Sequence, residues 1–162
     1  MSRSIVAALR LLAARRLTEA QLWSRLQRRG YAEEDVRAAV EACKRDGYLD
    51  DRLFARLYVD GRDKAVGDAR LVADLVRRGI DREAARRAVE QAERSQDERL
   101  DRAMRKAVRL RPQAGYPAVA RTLERLGFPA AAIYRRLRAE ASEFDEVAHA
   151  LASAEESFES SA

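Results

Sequence analysis

Apolar residues recur along this chain three and four positions apart, the spacing that gathers side chains on one face of a helix. No stretch alternates apolar and polar residues as a strand would. The pattern itself recurs. Leu26-Gln27-Arg28-Arg29-Gly30-Tyr31, Leu75-Val76-Arg77-Arg78-Gly79-Ile80 and Leu123-Glu124-Arg125-Leu126-Gly127-Phe128 place their glycines 49 and 48 residues apart. Leu22, Leu71 and Val119 stand eight residues before each glycine, Val36, Ala85 and Ile133 six after, and Val40, Val89 and Leu137 ten after. Recurrence at this period marks a repeat architecture.

Each copy reads as a helix pair about a tight turn. The glycine ends the first helix in the left-handed conformation that side chains resist. The large apolar residue after it packs back over the last turn, and the second helix comes next. Asp81 and Pro129 suit the start of that helix. A third helix precedes each pair. It runs through Ile5, Leu9 and Leu12 in the first copy, where Thr18-Glu19-Ala20-Gln21 then forms a capping box for the next helix. In the second copy it starts at Asp50-Asp51, carries Phe54, Leu57 and Tyr58, and ends near Gly67. In the third it spans Gln96 to Leu110 with Leu100, Met104 and Val108 on one stripe, stopping before Pro112. The expected fold is therefore all-α: three tandem three-helix repeats, 1–48, 49–94 and 95–139, in an elongated right-handed helical array, followed by an acidic tail, 140–162.

Composition agrees. Apolar residues make up 47% of the chain but aromatic ones only 6%, which suits narrow helical stripes better than a β-sandwich. No apolar run is long enough to span a bilayer. A single cysteine, Cys43, has no disulfide partner, which fits a reducing, cytoplasmic setting. Charge is uneven. Residues 1–139 hold all 32 Lys and Arg against 20 acids, a net of +12, whereas 140–162 hold seven acids and no Lys or Arg. A basic body with an acidic tail suits a protein that meets polyanions or acidic surfaces. The tail's Phe144, Val147 and Leu151 read either as an amphipathic tenth helix or as part of a disordered segment. One expectation is that the tail folds over the basic body and competes with the polyanion.

These residues resemble the RecX regulatory proteins. The likeness lies in Ala8-Leu9 through Leu12 with Arg15, Thr18 and Leu22, and in Gly47-Tyr48-Leu49-Asp50-Asp51 with Phe54-Ala55, Val59 and Arg62. It continues through Gly67, Arg70, Leu71 and Leu75 to Ile80, then Leu123 to Phe128 with Ile133, covering about residues 5–139. Gln21 stands where the family usually has Glu, Leu126 replaces a common Arg, and the acidic tail is outside the family pattern. The resemblance implies a non-enzymatic, monomeric modulator of the RecA recombinase in DNA repair, homologous recombination and the SOS response. Such a protein lies in the groove of the RecA–single-stranded-DNA filament and limits filament growth, ATP hydrolysis, strand exchange and stimulated repressor cleavage. DNA binding, single- or double-stranded, is implied as well.

The candidate contact residues are Arg28, Arg29, Arg62, Arg70, Arg77, Arg78 and Arg125. The two Arg pairs and Arg125 fall in the last turn of a helix, where a cation also relieves the macrodipole by about 0.3–1 kcal/mol. A periodic basic stripe facing phosphate or an acidic surface is the functional alternative. Gly67, between Arg62 and Arg70, would let the backbone approach a partner closely. Gly30, Gly79 and Gly127 are expected to be structural turns, and Tyr31, Ile80, Phe128, Phe54 and Tyr58 core, with Trp23 at the core edge. Asp50-Asp51 reads as a helix cap and not a metal site. Cys43 and the only histidine, His149, do not suggest a nucleophile pair. No phosphate-binding glycine loop is present and no cofactor is expected. The rival readings are a direct DNA-binding helical module and a helical scaffold for another protein.

Overall fold

The computed structural model describes residues 2–61 and 65–142. Among them the chain forms nine helices and no strand: α1 (Arg3–Ala14), α2 (Glu19–Arg28), α3 (Glu33–Arg45), α4 (Asp51–Val59), α5 (Asp68–Arg77), α6 (Arg82–Glu90), α7 (Gln96–Leu110), α8 (Tyr116–Arg125) and α9 (130–142). They fall into two compact units. The first comprises residues 1–64 and 68–95, hence α1 to α6; the second comprises 65–67 and the chain from 96, hence α7 to α9.

The four-residue spacing of the apolar positions becomes a buried stripe each time. Leu22 and Leu26, Leu71 and Leu75, and Val119 and Leu123 are all buried, as are Val36 and Val40, Ala85 and Val89, and Ile133 and Leu137. Fully burying a Leu side chain contributes about 1.5–3 kcal/mol, so these stripes hold each set of helices together. α1, α2 and α3 pack mutually, α6 packs on both α4 and α5, and α7 packs on α8. α9 joins the second core through Ile133 and Leu137.

The three corners share one geometry. Gly30, Gly79 and Gly127 have φ of 83°, 88° and 86°. In each, the glycine N–H donates three residues back, to Gln27, Val76 or Glu124, and the next residue donates five back, to Leu26, Leu75 or Leu123. This is the Schellman arrangement, which satisfies carbonyls that the helix end leaves without partners. A fourth corner of the same kind ends α3, where Gly47 has φ 77° and Tyr48 donates to the Cys43 carbonyl.

Helix starts follow the local sequence. Thr18 caps α2 in a full capping box with Gln21, and Asp81 caps α6 by accepting from Glu83 and Ala84. Asp50 caps α4 through the Leu53 N–H at 2.9 Å, while its neighbour Asp51 reaches across to the Glu19 N–H at 2.8 Å, in the first turn of α2. Two successive carboxylates thus serve two different helices. Taking Asp51 out of water raises its pKa, and the hydrogen bond from Glu19 offsets only part of that rise.

Two of the corners are also held by residues from earlier in the chain. Thr18 donates its hydroxyl to the carbonyl of Arg78, the C-terminal flank of α5, at 2.5 Å. Gly67, 49 residues after Thr18, donates its N–H to the carbonyl of Leu126, the equivalent flank of α8, at 2.9 Å. A side chain at Gly79 would strike Ala20, and one at Gly67 would strike the Gly127 carbonyl and the Phe128 nitrogen. The close approach expected at Gly67 is therefore to the chain's own next corner. Arg99, 48 residues after Asp51, is buried and donates to the Val66 carbonyl at 3.0 Å, fastening the same segment.

Three expectations are corrected. α4 stops at Val59, well before Gly67; Asp60 is its C-cap, and the Asp60 carboxylate is turned to the Glu93 N–H, which it accepts at 3.0 Å. Its buried stripe is Ala55 and Val59; Phe54 and Tyr58 are half-buried at the edge and Leu57 is exposed. On α7, Val108 is 42% exposed, and Leu100, Ala103 and Met104 form the buried face.

The glycines differ in what they must avoid, which separates two costs. Gly30→Ala meets open space and should lose only the left-handed preference, about 1–2 kcal/mol. Gly79→Ala should lose more, because it also strikes Ala20, and Ala20→Gly in the same chain should recover only the excess. Urea unfolding midpoints of the native chain and the three variants measure this; equal losses at Gly30 and Gly79 would remove the contact from the explanation.

Candidate basic interface

The last turn before each corner presents its arginines according to that geometry. Arg28, Arg77 and Arg125 hold equivalent positions and all three are exposed. The following position varies: Arg29 is exposed, Arg78 is half-buried, and Leu126 packs partly buried against the second core. Arg28 folds back onto the Ser24 carbonyl at 3.3 Å, and Arg125 lies 3.4 Å from the Thr122 hydroxyl. Both contacts leave the guanidinium charge unneutralised.

Arg70, Arg77 and Arg78 are brought together in the first unit. Asp74, on the same helix, ion-pairs with Arg77 and lies 3.4 Å from Arg70. Its second oxygen accepts the Tyr58 hydroxyl at 3.2 Å. Arg78 donates to the Asp74 carbonyl at 3.0 Å and sets its guanidinium over the Tyr58 ring, 4.5 Å from the centroid. Tyr58 in turn stacks on Phe54 at 6.3 Å. Tyr58 lies at the core edge because its hydroxyl needs a polar partner. One carboxylate against three arginines leaves a local excess of two positive charges.

Asp74 feels opposing influences. Removal from water acts to raise its pKa, but hydrogen bonds from Arg77 and Tyr58, with the charges of Arg70 and Arg77, hold it below the ordinary value. The spacing made this readable: Asp74 is four residues after Arg70 and three before Arg77, the separations at which helical side chains meet. Weighing the arginines without their acidic neighbour missed it. The other candidate, Arg62, lies outside the described residues, as do His149 and the acidic segment 143–162.

Little else has the makings of chemistry. Burial, then the nearby Asp46 charge, push the Cys43 thiol pKa up, away from the reactive thiolate. Among the described residues no cluster of His, Cys, Asp and Glu could hold a metal, and no helix is long and apolar enough to cross a membrane. A groove of about 750 Å³ between α4 and α6 is lined by Arg52, Arg56 and Arg87 but also by Asp50, Asp51 and Asp81. Its charges balance, so it does not select an anion.

Comparison with known proteins gives a consistent pattern. The profile of the RecX first three-helix domain matches residues 6–43. A regulatory protein RecX from Thermobifida fusca is 34% identical over 147 residues, covering 86% of this chain and 79% of that protein. One from Thermus thermophilus is 33% identical over 128 residues, covering 79% and 85%. The crystal structure of RecX from Lactobacillus salivarius superposes with a TM-score of 0.72 at 17% identity, over 84% of this chain and 93% of that one, a likeness of fold.

Replacing Asp74 with Asn should destabilise the chain by about 1–2 kcal/mol at neutral pH, the lower end for charge-assisted bonds because Arg70 and Arg77 are largely exposed. A depressed folded pKa contributes stability above the unfolded value and loses it as pH falls through the folded one. The gap between the native chain and Asp74→Asn should thus be steady from about pH 7 to 5 and close below about pH 4. Unfolding midpoints across that range test this; a gap independent of pH would assign the effect to shape alone.

Proposed function

Because the chain belongs to the RecX family of regulatory proteins, we propose that it binds the RecA–single-stranded-DNA filament in its groove and restrains the recombinase. In this reading each three-helix repeat, 1–48, 49–94 and 95–139, is one contacting module. The observation that carries it is the exposure of Arg28, Arg77 and Arg125 at equivalent corners. A filament offers the same acidic or phosphate-bearing surface at regular intervals, and one chain with recurring contacts engages several intervals at once. Linked weak contacts multiply through effective concentration, without any large apolar patch.

Restraint is then a matter of geometry. A chain tied to several neighbouring protomers opposes the changes between protomers that ATP turnover, growth and strand exchange require. Repressor cleavage would fall for the same reason, or because the groove is occupied. Arg70, Arg77 and Arg78 would supply a denser contact in the middle of the chain, and Arg29 and Arg62 further cations. The protein would act as a monomer in the cytoplasm, without a cofactor or chemistry of its own.

The test is a titration of the protein into recombinase assembled on single-stranded DNA, following ATP hydrolysis at a salt concentration where the protein alone does not bind DNA. Hydrolysis should fall as the groove fills, and Arg28→Glu, Arg77→Glu and Arg125→Glu together should shift the titration at least about tenfold, as for loss of several linked contacts. Complete loss of hydrolysis far below groove saturation would indicate capping of growing ends. No effect at any ratio would refute the reading and leave direct DNA binding or a scaffold role.

A further inference from the structure

Among the described residues four glycine corners turn the chain, and at three of them the next residue packs down. Ile80 and Phe128 are buried and Tyr31 is half-buried, whereas Tyr48, after Gly47, is 62% exposed. At that corner Leu49 is buried instead, taking the packing place one residue later. The Cys43 carbonyl accepts from the N–H groups of both Tyr48 and Leu49. The backbone of Tyr48 is therefore fixed while its ring adds little to the core.

That ring borders a recess of about 130 Å³ between α1, the corner and α4. Leu12, Leu53 and Phe54 give the recess apolar walls, and Arg16 and Asp50 give it polar ones. Pockets that enclose a whole small ligand run to roughly 300–1,000 Å³. This one has room for a flat ring and leaves the rest of its occupant outside. The aromatic lining continues past it. Phe54 stacks on Tyr58, 6.3 Å between centroids and 8° from parallel, and the Arg78 guanidinium covers the Tyr58 ring.

Both ends of this aromatic row are positively charged. Arg16, at the rim of the recess, is exposed and pairs with no acid among the described residues. At the far end Arg70, Arg77 and Arg78 gather about Asp74. Asp50 is the one acid in the recess. It accepts the Leu53 N–H at 2.9 Å, where the start of α4 offsets its charge. These arginines oppose the cationic guest that an aromatic cage otherwise suits. They favour a flat ring flanked by negative charge.

We propose that the recess seats one unpaired base of a single-stranded nucleic acid, stacked against Tyr48 and Phe54. The phosphates on either side then lie toward Arg16 and toward the Arg77–Arg78 end. A duplex keeps its bases stacked on one another and must unpair to offer one, so the site selects single strands. The corner arginines touch only charge, whereas this contact uses the base itself. It concerns the chain with free single strands and stands apart from the filament reading.

The test uses the full chain with two labelled oligomers of about twelve units: oligo-thymidine, and an abasic oligomer with as many phosphates. Fluorescence anisotropy at low salt should show oligo-thymidine bound about tenfold more tightly, the contribution of stacking one base. Tyr48→Ala, with helicity unchanged by circular dichroism, should abolish that preference and leave abasic binding as it was. Tyr48→Phe should keep the preference, and Arg16→Gln should weaken binding of both oligomers. Equal affinity of the native chain for the two oligomers would overturn the proposal. So would a preference that survives Tyr48→Ala, or an Arg16→Gln chain that binds as the native one does. Thymidine monophosphate competing as well, per nucleotide, as unlabelled oligo-thymidine would assign the recess to free nucleotides and refute the strand.

Discussion

A helix that ends leaves carbonyls without hydrogen-bond partners, and the disposal of those carbonyls shapes this chain. At each glycine corner, backbone N–H groups satisfy the carbonyls inside the last turn. The flanking carbonyls of Arg78 and Leu126 are each satisfied by a residue from earlier in the chain. Thr18 supplies a hydroxyl to the first and Gly67 an N–H to the second, from positions one repeat apart. The role is the same although the chemistry is not. A hydroxyl can reach past a side chain at position 18, whereas a main-chain donor must come so close that only glycine fits at 67.

Flanking residues reinforce the same contacts in ways that also differ between copies. Asp51 accepts a main-chain N–H at the start of α2, and its counterpart Arg99 donates to a main-chain carbonyl at Val66. Each charge is directed at a peptide group of the neighbouring element. Because the helix ends are fixed, the side chains just before each glycine are fixed too. Arg28, Arg77 and Arg125 point to solvent at equivalent places because burial is already taken by the leucines at 26, 75 and 123. The contacts proposed with the filament are thus a consequence of how the helices turn.

Much of this was legible in the residues. The glycine period, the four-residue apolar spacing and the Thr18 capping box are local signals, and local physics decides them. The rest depends on contacts between distant residues. That Asp51 serves α2 while Asp50 serves α4 requires knowing that residue 19 lies beside residue 51. Gly67 looks like an opening for a partner because its neighbour, 60 residues on, is not visible in the spacing. On α4 the large residues draw the eye before the small ones, yet Ala55 and Val59 form the buried stripe of this helix, which packs on α6, and Phe54 and Tyr58 stay at the edge. Asp74 is a different case. Its spacing to Arg70 and Arg77 is in plain view, and only attention to basic residues alone conceals it.

The central claim is that the three corners are the places of contact with a repetitive, negatively charged partner. Hydrogen exchange of the full chain, free and bound to recombinase on single-stranded DNA, addresses it most directly. The amides of residues 28–31, 77–80 and 125–128 should gain protection together on binding. Protection at one corner alone, or on surfaces away from all three, would contradict it.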